Sequence, residues 1–182
     1  GYNFKNQNNE LGGYAILNNN KICLVMDIGP TPDKKFSSDY QAGSLSFEII
    51  SGGKKLICNS GYFQNIKHQL NKISKSSATH STLILDDTSS CKFTKKSKIS
   101  ENLKVIKKNV IFEKNYWSIN AAHDGYLKNY GIVHNREIEF YPEQMKFIGC
   151  DKIISKNDIR NLKFEIRFHL EPDVKVMKTL DG

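Results

Sequence analysis

The fold class of this 182-residue chain is decided by the stretch Ser44-Leu45-Ser46-Phe47-Glu48-Ile49, then Gly52-Gly53, then Lys55-Leu56-Ile57-Cys58. Apolar and polar residues alternate in the first run, which is the period of a β-strand with one buried face. The glycine pair suits a tight turn between two antiparallel strands. The stretch therefore predicts a β-hairpin.

The same signals recur along the chain. A second hairpin is predicted from the apolar runs 14–17 and 21–26, which are separated by three asparagines. No stretch carries an apolar stripe of helical period, and residues 64–78 are polar and predict a long loop with at most a helical turn. Further strands are predicted over residues 81–85, 103–106, 110–113, 116–122, 131–140, 146–154 and 162–170. About ten short strands with turns between them predict an all-β fold, an antiparallel multi-stranded β-sandwich forming a single domain over residues 1–182.

Composition narrows the class of partner. A hydrophobic share of 38% excludes intrinsic disorder, and no apolar run approaches the roughly 20 residues that span a bilayer. A net charge of +8 suggests a polyanion, but arginine, which reads base edges best, occurs only at Arg136, Arg160 and Arg167. We therefore expect no nucleic-acid partner, whereas a groove that attracts an acidic polymer fits the same charge.

The cysteine spacing indicates neither a zinc-binding motif nor a disulfide framework. Four cysteines lie far apart with no CxxC pair, at Cys23, Cys58, Cys91 and Cys150. The five histidines are therefore the main candidates for catalytic or binding residues.

Two of the histidines are candidates for a site. His80 stands where a polar loop enters an apolar strand, so its ring either points into a groove or bonds the local backbone. His134 and Arg136 are two residues apart on one strand face. Together they could bind a carboxylate or sulfate, or form an exposed polar face paired with a neighbouring strand. His123 with Asp124 is expected in a turn, and His68 in a solvated loop.

Seven short blocks of sequence cover roughly residues 11–175. The blocks are Val25-Met26-Asp27-Ile28-Gly29-Pro30, Ala42-Gly43-Ser44-Leu45-Ser46-Phe47-Glu48, Asn59-Ser60-Gly61, Ala78-Thr79-His80-Ser81-Thr82, His123-Asp124-Gly125-Tyr126, His134-Asn135-Arg136 and Arg167-Phe168-His169-Leu170. In this order they make the chain similar to the heparinase II/III family, and in particular to a proteobacterial branch of uncharacterised members.

The resemblance implies a C-terminal β-sandwich that packs against an N-terminal α/α toroid in the whole enzyme. It also implies a polysaccharide lyase that cleaves uronic-acid-containing glycans by β-elimination, with an acidic polysaccharide and the toroid as partners. We expect the chain to be a fragment cut at both ends, with residues 1–10 as a lead-in segment. It should be inactive without the toroid, which supplies the catalytic tyrosine. A bacterial periplasm or cell envelope is the implied location.

The matched blocks also suggest site residues. His134 and His80 are the candidates for catalysis; Tyr126, Arg136, Gln41 and Asn59 are the candidates for binding substrate. Gln41 stands where the family has a histidine, and Asn59 stands where many relatives have aspartate. Some relatives hold zinc with these positions and the histidine that matches His80, but neutral amides are poor zinc ligands, so we expect no metal and no cofactor. The two departures also support an alternative, a non-catalytic glycan-binding or cell-envelope assembly protein that keeps a degenerate lyase fold.

Overall fold

The computed structural model describes residues 9–62, 68–155 and 161–177. Strands dominate this part of the chain, and every strand pairing is antiparallel. The strands are β1 (Glu10–Leu11), β2 (Tyr14–Asn18), β3 (Ile22–Asp27), β4 (Phe47–Ser51), β5 (Lys54–Cys58), β6 (Leu83–Leu85), β7 (Val105–Phe112), β8 (Trp117–His123), β9 (Ile132–Tyr141), β10 (Lys146–Ser155), β11 (Phe164–Ile166) and β12 (His169–Leu170). The helices are α1 (Leu70–Ser74) and α2 (Leu127–Tyr130), and 3-10 turns form at Lys34–Phe36 and Ser77–Thr79.

Two sheets face each other and a third, small sheet lies beside them. The larger sheet has six strands in the order β1-β2-β3-β4-β5-β12, and the facing sheet has four in the order β10-β9-β8-β7. β6 pairs with β11 in the small sheet. This is the predicted all-β sandwich.

The core lies between the two large sheets because alternate residues of each strand point inward. The six-stranded sheet contributes residues such as Leu24, Met26 and Phe47, and the four-stranded sheet contributes Trp117 and Phe140, all buried. Phe140 packs on the Trp117 ring with centroids 4.9 Å apart. The intervening residues of β2, β3 and β4 consequently face away from the core.

Three predicted elements differ from the observed ones. The predicted strand over 162–170 is two short strands, because β11 pairs with β6 whereas β12 pairs with β5 in the six-stranded sheet. The strands predicted over 103–106 and 110–113 form one strand, β7, whose polar middle is tolerated since β7 is a sheet edge. Of the loop predicted over 64–78, residues 64–67 lie outside the described residues and α1 forms within the remainder.

The helices in the described ranges are short. Neither is long and apolar enough to cross a membrane, the longer one having five residues.

Candidate functional site

A cavity of about 520 Å³ lies on the outer face of the six-stranded sheet. Its floor is formed by the outward-facing residues of β2, β3 and β4, because these alternate with the core residues on the same strands. Its walls come from the segment before β4, the segment after β5 and the residue that follows the second 3-10 turn. The lining residues are Tyr14, Ile16, Val25, Asp27, Asp39, Tyr40, Gln41, Gly43, Ser46, Glu48, Asn59, Gly61 and His80.

Three of the six predicted site residues meet at this cavity, namely Gln41, Asn59 and His80. The amide nitrogen Nε2 of Gln41 donates to the carbonyl of Gly61 at 2.8 Å, which ties two walls together. Asn59 accepts the backbone N–H of Ser81 on Oδ1 at 2.8 Å. Residues from three separate blocks of the sequence thus converge on one concave surface.

His80 fits both interpretations offered by its sequence. Its Nε2 lies 3.0 Å from the carbonyl of Ser74, to which a neutral ring donates, so Nδ1 is the unprotonated nitrogen. Burial lowers the pKa of His80, which keeps the ring neutral at pH 7. Gly43 permits the approach of this ring, since a Cβ there would lie 3.1 Å from Nδ1.

Carboxyl groups dominate the charge of the cavity. Asp27, Asp39 and Glu48 line it, and no lysine or arginine is among the described residues that do. Burial raises the pKa of Asp27 to about 7, although its Oδ1 accepts the backbone N–H of Gly29 at 3.0 Å. Glu48 pairs with Lys55 at 3.3 Å, and Asp27 is about half protonated at pH 7 because its pKa is about 7, so these carboxyls present less than their full charge to a ligand.

Tyr40 adds an unsatisfied polar group to the cavity lining. Its hydroxyl is buried and has no hydrogen-bond partner among the described residues. A buried hydroxyl without a partner costs free energy unless a ligand or water bonds it. The hydroxyl is enclosed by protein, so a molecule in the cavity can bond it only if the Tyr40 side chain moves.

The other predicted pair, His134 and Arg136, lies inside the sandwich. Both side chains are fully buried on the inner face of β9. Arg136 donates from Nε and Nη2 to the two carboxylate oxygens of Asp151 at 2.8 and 3.0 Å, and His134 Nε2 lies 2.6 Å from Oδ1. Burial raises the pKa of the Asp151 carboxyl, but the hydrogen bonds from His134 and Arg136 outweigh it and hold that pKa below its usual value. The carboxylate that the pair binds is thus a residue of the same chain.

A second histidine extends the network. Nδ1 of His134 lies 3.2 Å from Nε2 of His123, and the backbone N–H of Gly125 donates to His123 Nδ1 at 3.1 Å. With both rings neutral, His123 donates from Nε2 to His134, and His134 donates from Nε2 to Asp151. Burial is the main cause that lowers the pKa of both rings, which is consistent with this arrangement. His123 ends β8, and the turn predicted for His123 and Asp124 begins only after it.

Ser81 connects the buried network to the cavity. Arg136 donates from Nη1 to the carbonyls of Ser81 and Leu45 at 2.6 and 3.0 Å. Ser81 in turn donates its N–H to Asn59, which lines the cavity. Arg136 therefore positions a cavity residue through the backbone of Ser81.

Tyr126 is also buried. Its hydroxyl donates to the carbonyl of Leu83 at 3.0 Å or that of Thr88 at 3.3 Å, in a cluster with Leu85 and Ile132. Burial raises the pKa of Tyr126. The side chain packs β6 against α2 and β9 and does not line the cavity.

A family model described as "Heparinase II/III-like, C-terminal" matches residues 7–182. The chain belongs to this family. A search of curated proteins found no match.

Solved structures share the fold of this heparinase II/III-like domain. A mutant of the heparan sulfate lyase HepC from Pedobacter heparinus is 19% identical with a TM-score of 0.62, over 86% of this chain and 23% of that one. HepC itself is 18% identical with a TM-score of 0.60, over 80% and 21% of the two chains. A heparinase III, the BT4657 gene product with methylated lysines, is 17% identical with a TM-score of 0.58, over 79% and 21%. The present chain thus spans between a fifth and a quarter of the length of these structures.

The heparinase-like cavity does not fit the zinc ion that some relatives hold. Asn59 already uses Oδ1 to accept from Ser81 and Nδ2 to donate to Glu48 at 3.3 Å, and Gln41 is bonded to Gly61. Neutral amides of this kind are weak zinc ligands beside a single histidine. The described residues contain no group of three or more His, Cys, Asp and Glu side chains with the geometry of a metal site.

Sequence reasoning missed two kinds of site residue. Asp151 could have been found, because the hairpin of β9 and β10 places it directly opposite Arg136. Asp27 also had a signal, because it stands in one of the seven matched blocks. Tyr14 had none, since it looks like an ordinary outward position of a hairpin and becomes part of a cavity only when distant segments cover it.

Proposed function

We propose that this domain is the β-sandwich portion of a polysaccharide lyase that cleaves uronic-acid-containing glycans by β-elimination. The observation that carries the proposal is the cavity in which Gln41, Asn59 and His80 converge from three family blocks. Hydroxyl-rich sugars suit such a lining of amides, carboxyls and tyrosines.

The chemistry of elimination assigns roles to these groups. Removing the C5 proton of a uronate places more negative charge beside its carboxylate, which makes the step slow. The barrier falls when a nearby base takes that proton and a proton donor protonates the oxygen that leaves C4. His80 is neutral at pH 7, so its unprotonated Nδ1 can accept a proton. Gln41 and Asn59 then orient the sugar.

His134 and Arg136 enter the proposal through their neighbours, whereas a substrate contact for Tyr126 stays a prediction, because its hydroxyl bonds the carbonyl of Leu83 in the interior. A direct role in proton transfer for His134 stays a prediction, because its side chain is fully buried behind the Asp151 carboxylate. Arg136 acts on the site through Ser81 and Asn59. In the active enzyme, His134→Ala should lower kcat with little change in KM, and unchanged turnover would remove His134 from the proposal.

Activity is proposed for the longer protein and not for this domain alone. The chain spans 23% of the length of the HepC mutant whose fold it shares. We therefore expect the domain to be inactive without an N-terminal toroid and to contribute one wall of the glycan-binding cleft.

The test is a lyase assay on the full-length protein with a panel of uronate-containing glycans. Elimination creates a C4–C5 double bond that absorbs in the ultraviolet, so no label is required. Rising absorbance that is lost in His80→Gln but retained in His169→Gln supports the proposal. His169 is a matched control because its ring bonds the carbonyl of Ala78 and does not line the cavity.

A second candidate is a non-catalytic glycan-binding or envelope-assembly protein. It is favoured by Gln41 and Asn59, whose neutral amides are held by hydrogen bonds within the protein. This candidate is supported if folded protein gives no rise in absorbance in the lyase assay but still binds a glycan in calorimetry. A flat trace without binding would overturn both.

A further inference from the structure

A second cavity, of about 330 Å³, lies between α1 and the short hairpin in which Phe93 pairs with Ile99. Its lining differs in charge from that of the first cavity. The described lining residues include three lysines and no carboxylate, and they are Lys72, Lys75, Phe93, Thr94, Lys95 and Ser97. A concentration of cations with hydroxyls between them favours an anionic ligand.

Lys75 is held in place at the centre of this cavity. Only 6% of the residue is exposed, and its ammonium group donates to the carbonyls of Ser38 and Ser97, the latter at 3.1 Å. The ammonium also lies 5.2 Å from the centre of the Phe93 ring. Two carbonyl contacts leave one of its three N–H groups for a ligand.

The two cavities lie on opposite sides of one segment, residues 38–42. Asp39, Tyr40 and Gln41 line the first cavity, whereas Lys75 bonds Ser38 with its side chain and accepts the N–H of Ala42 on its carbonyl at 2.9 Å. Asp39 is also the carboxylate close enough to Lys75 to act on its charge. Residues 38–42 therefore form a boundary that the two cavities share.

We propose that the cavity of Lys72, Lys75 and Lys95 is an anion subsite, which takes a sulfate or carboxylate group of the glycan while a neighbouring sugar occupies the first cavity. The inference rests on the proposed function. It is favoured by charge, because three lysines face this cavity and no carboxylate is among its described lining residues. Lys72 and Lys95 are exposed and bind the anion from the rim, and Phe93 packs against the sugar ring.

The test compares binding of defined oligosaccharides to the full-length protein by calorimetry. The probes are a sulfated uronate-containing oligosaccharide, its desulfated form, its carboxyl-reduced form and inorganic sulfate alone. The variant is Lys72→Ala/Lys95→Ala. The matched control is Lys107→Ala/Lys114→Ala, which removes the same charge from exposed positions that line neither cavity.

For the sulfated oligosaccharide, we expect Lys72→Ala/Lys95→Ala to weaken binding about tenfold and to flatten its dependence on salt, with the control unchanged. Whichever of the two modified oligosaccharides lacks the recognised anion should bind the variant and the unmodified protein equally. Equal weakening in the variant and the control would overturn the subsite and leave the proposed function standing. If inorganic sulfate binds as tightly as the oligosaccharide, the ligand of this cavity is not a glycan. Failure of the unmodified protein to bind any oligosaccharide would overturn both proposals.

Discussion

Asp151 and Arg136 lie directly opposite each other on β10 and β9 and form a two-pronged ion pair inside the sandwich. The guanidinium is fully buried and 7% of the Asp151 side chain is exposed. Planar bidentate geometry of this kind compensates for the cost of desolvating both charges. Within the pair, Arg136 stands on the inward face of β9, where Ile138 and Phe140 are apolar.

Asp151→Ala should therefore be strongly destabilising. It leaves the Arg136 charge and the His134 Nε2–H buried without a partner, which we expect to cost about 3–5 kcal/mol. Urea unfolding at pH 7 measures the change. Glu165→Ala is the matched control, because Glu165 pairs with Arg167 at the surface and should cost less than about 1 kcal/mol. Equal losses in the two variants would show that the buried pair contributes no more than the exposed one.

Asp27→Asn should stabilise the protein in a pH-dependent way. Burial raises the pKa of the folded-state carboxyl from 3.8 to about 7. Native Asp27 consequently contributes stability at low pH that is lost as pH rises from about 4 to about 7. Asparagine can still accept the N–H of Gly29 but has no charge to bury.

The gain in melting temperature from Asp27→Asn should hence be larger at pH 8 than at pH 4. The exposed Asp33→Asn serves as a control with the same change of charge. A gain that is independent of pH would contradict the burial of an ionisable carboxyl at this position.

The histidine pair should make the protein sensitive to acid. The pKa of both His123 and His134 is lowered in the fold, chiefly by burial, so the unfolded chain takes up protons near pH 6.5 before the folded one does. The free energy of unfolding should fall as pH drops below about 6.5, by up to about 1.4 kcal/mol per pH unit for each ring.

Urea midpoints between pH 5 and 8 measure this dependence. The Asp27→Asn background removes the opposite titration of Asp27 from the profile. In that background His123→Asn should reduce the slope, and an unchanged slope would show that these rings do not carry the acid sensitivity.

Tyr40→Phe should separate ligand binding from folding. The hydroxyl has no partner among the described residues, so its removal should change the free energy of unfolding by less than about 1 kcal/mol or raise it slightly. If a sugar hydroxyl bonds this atom, glycan affinity should fall about fivefold or more. Calorimetry on the full-length protein checks the second effect, and unchanged affinity would exclude Tyr40 from the binding surface.

Local patterns in the sequence were sufficient for much of the fold. The hairpin of β4 and β5 follows from alternation and a glycine turn, and the shared face of His134 and Arg136 follows from their spacing. The break between β11 and β12 could not be predicted, because the apolar-polar alternation continues unchanged through Arg167 and Phe168. There the N–H of Arg167 donates to Thr82, and the Phe168 ring packs on Phe47, as the chain moves from one sheet to another.

The candidate site was predictable only in part. Its histidine and amides were suggested by short blocks of sequence, but whether a side chain points into the cavity or into the sandwich depends on packing between distant strands. His80 lines the cavity, whereas Tyr126 is equally well placed in its block and is enclosed by Leu85 and Ile132. Whether such a side chain is buried depends on how the sheets pack together, and no local sequence pattern indicates it.

On β3 the residues that pack the core and those that form the cavity floor alternate one by one. Val25 can therefore be replaced without disturbing Leu24 or Met26, which point the other way. Evolution can alter what the cavity recognises while the scaffold keeps its stability. Relatives that share this sandwich should therefore differ mainly at every second residue of the same strands.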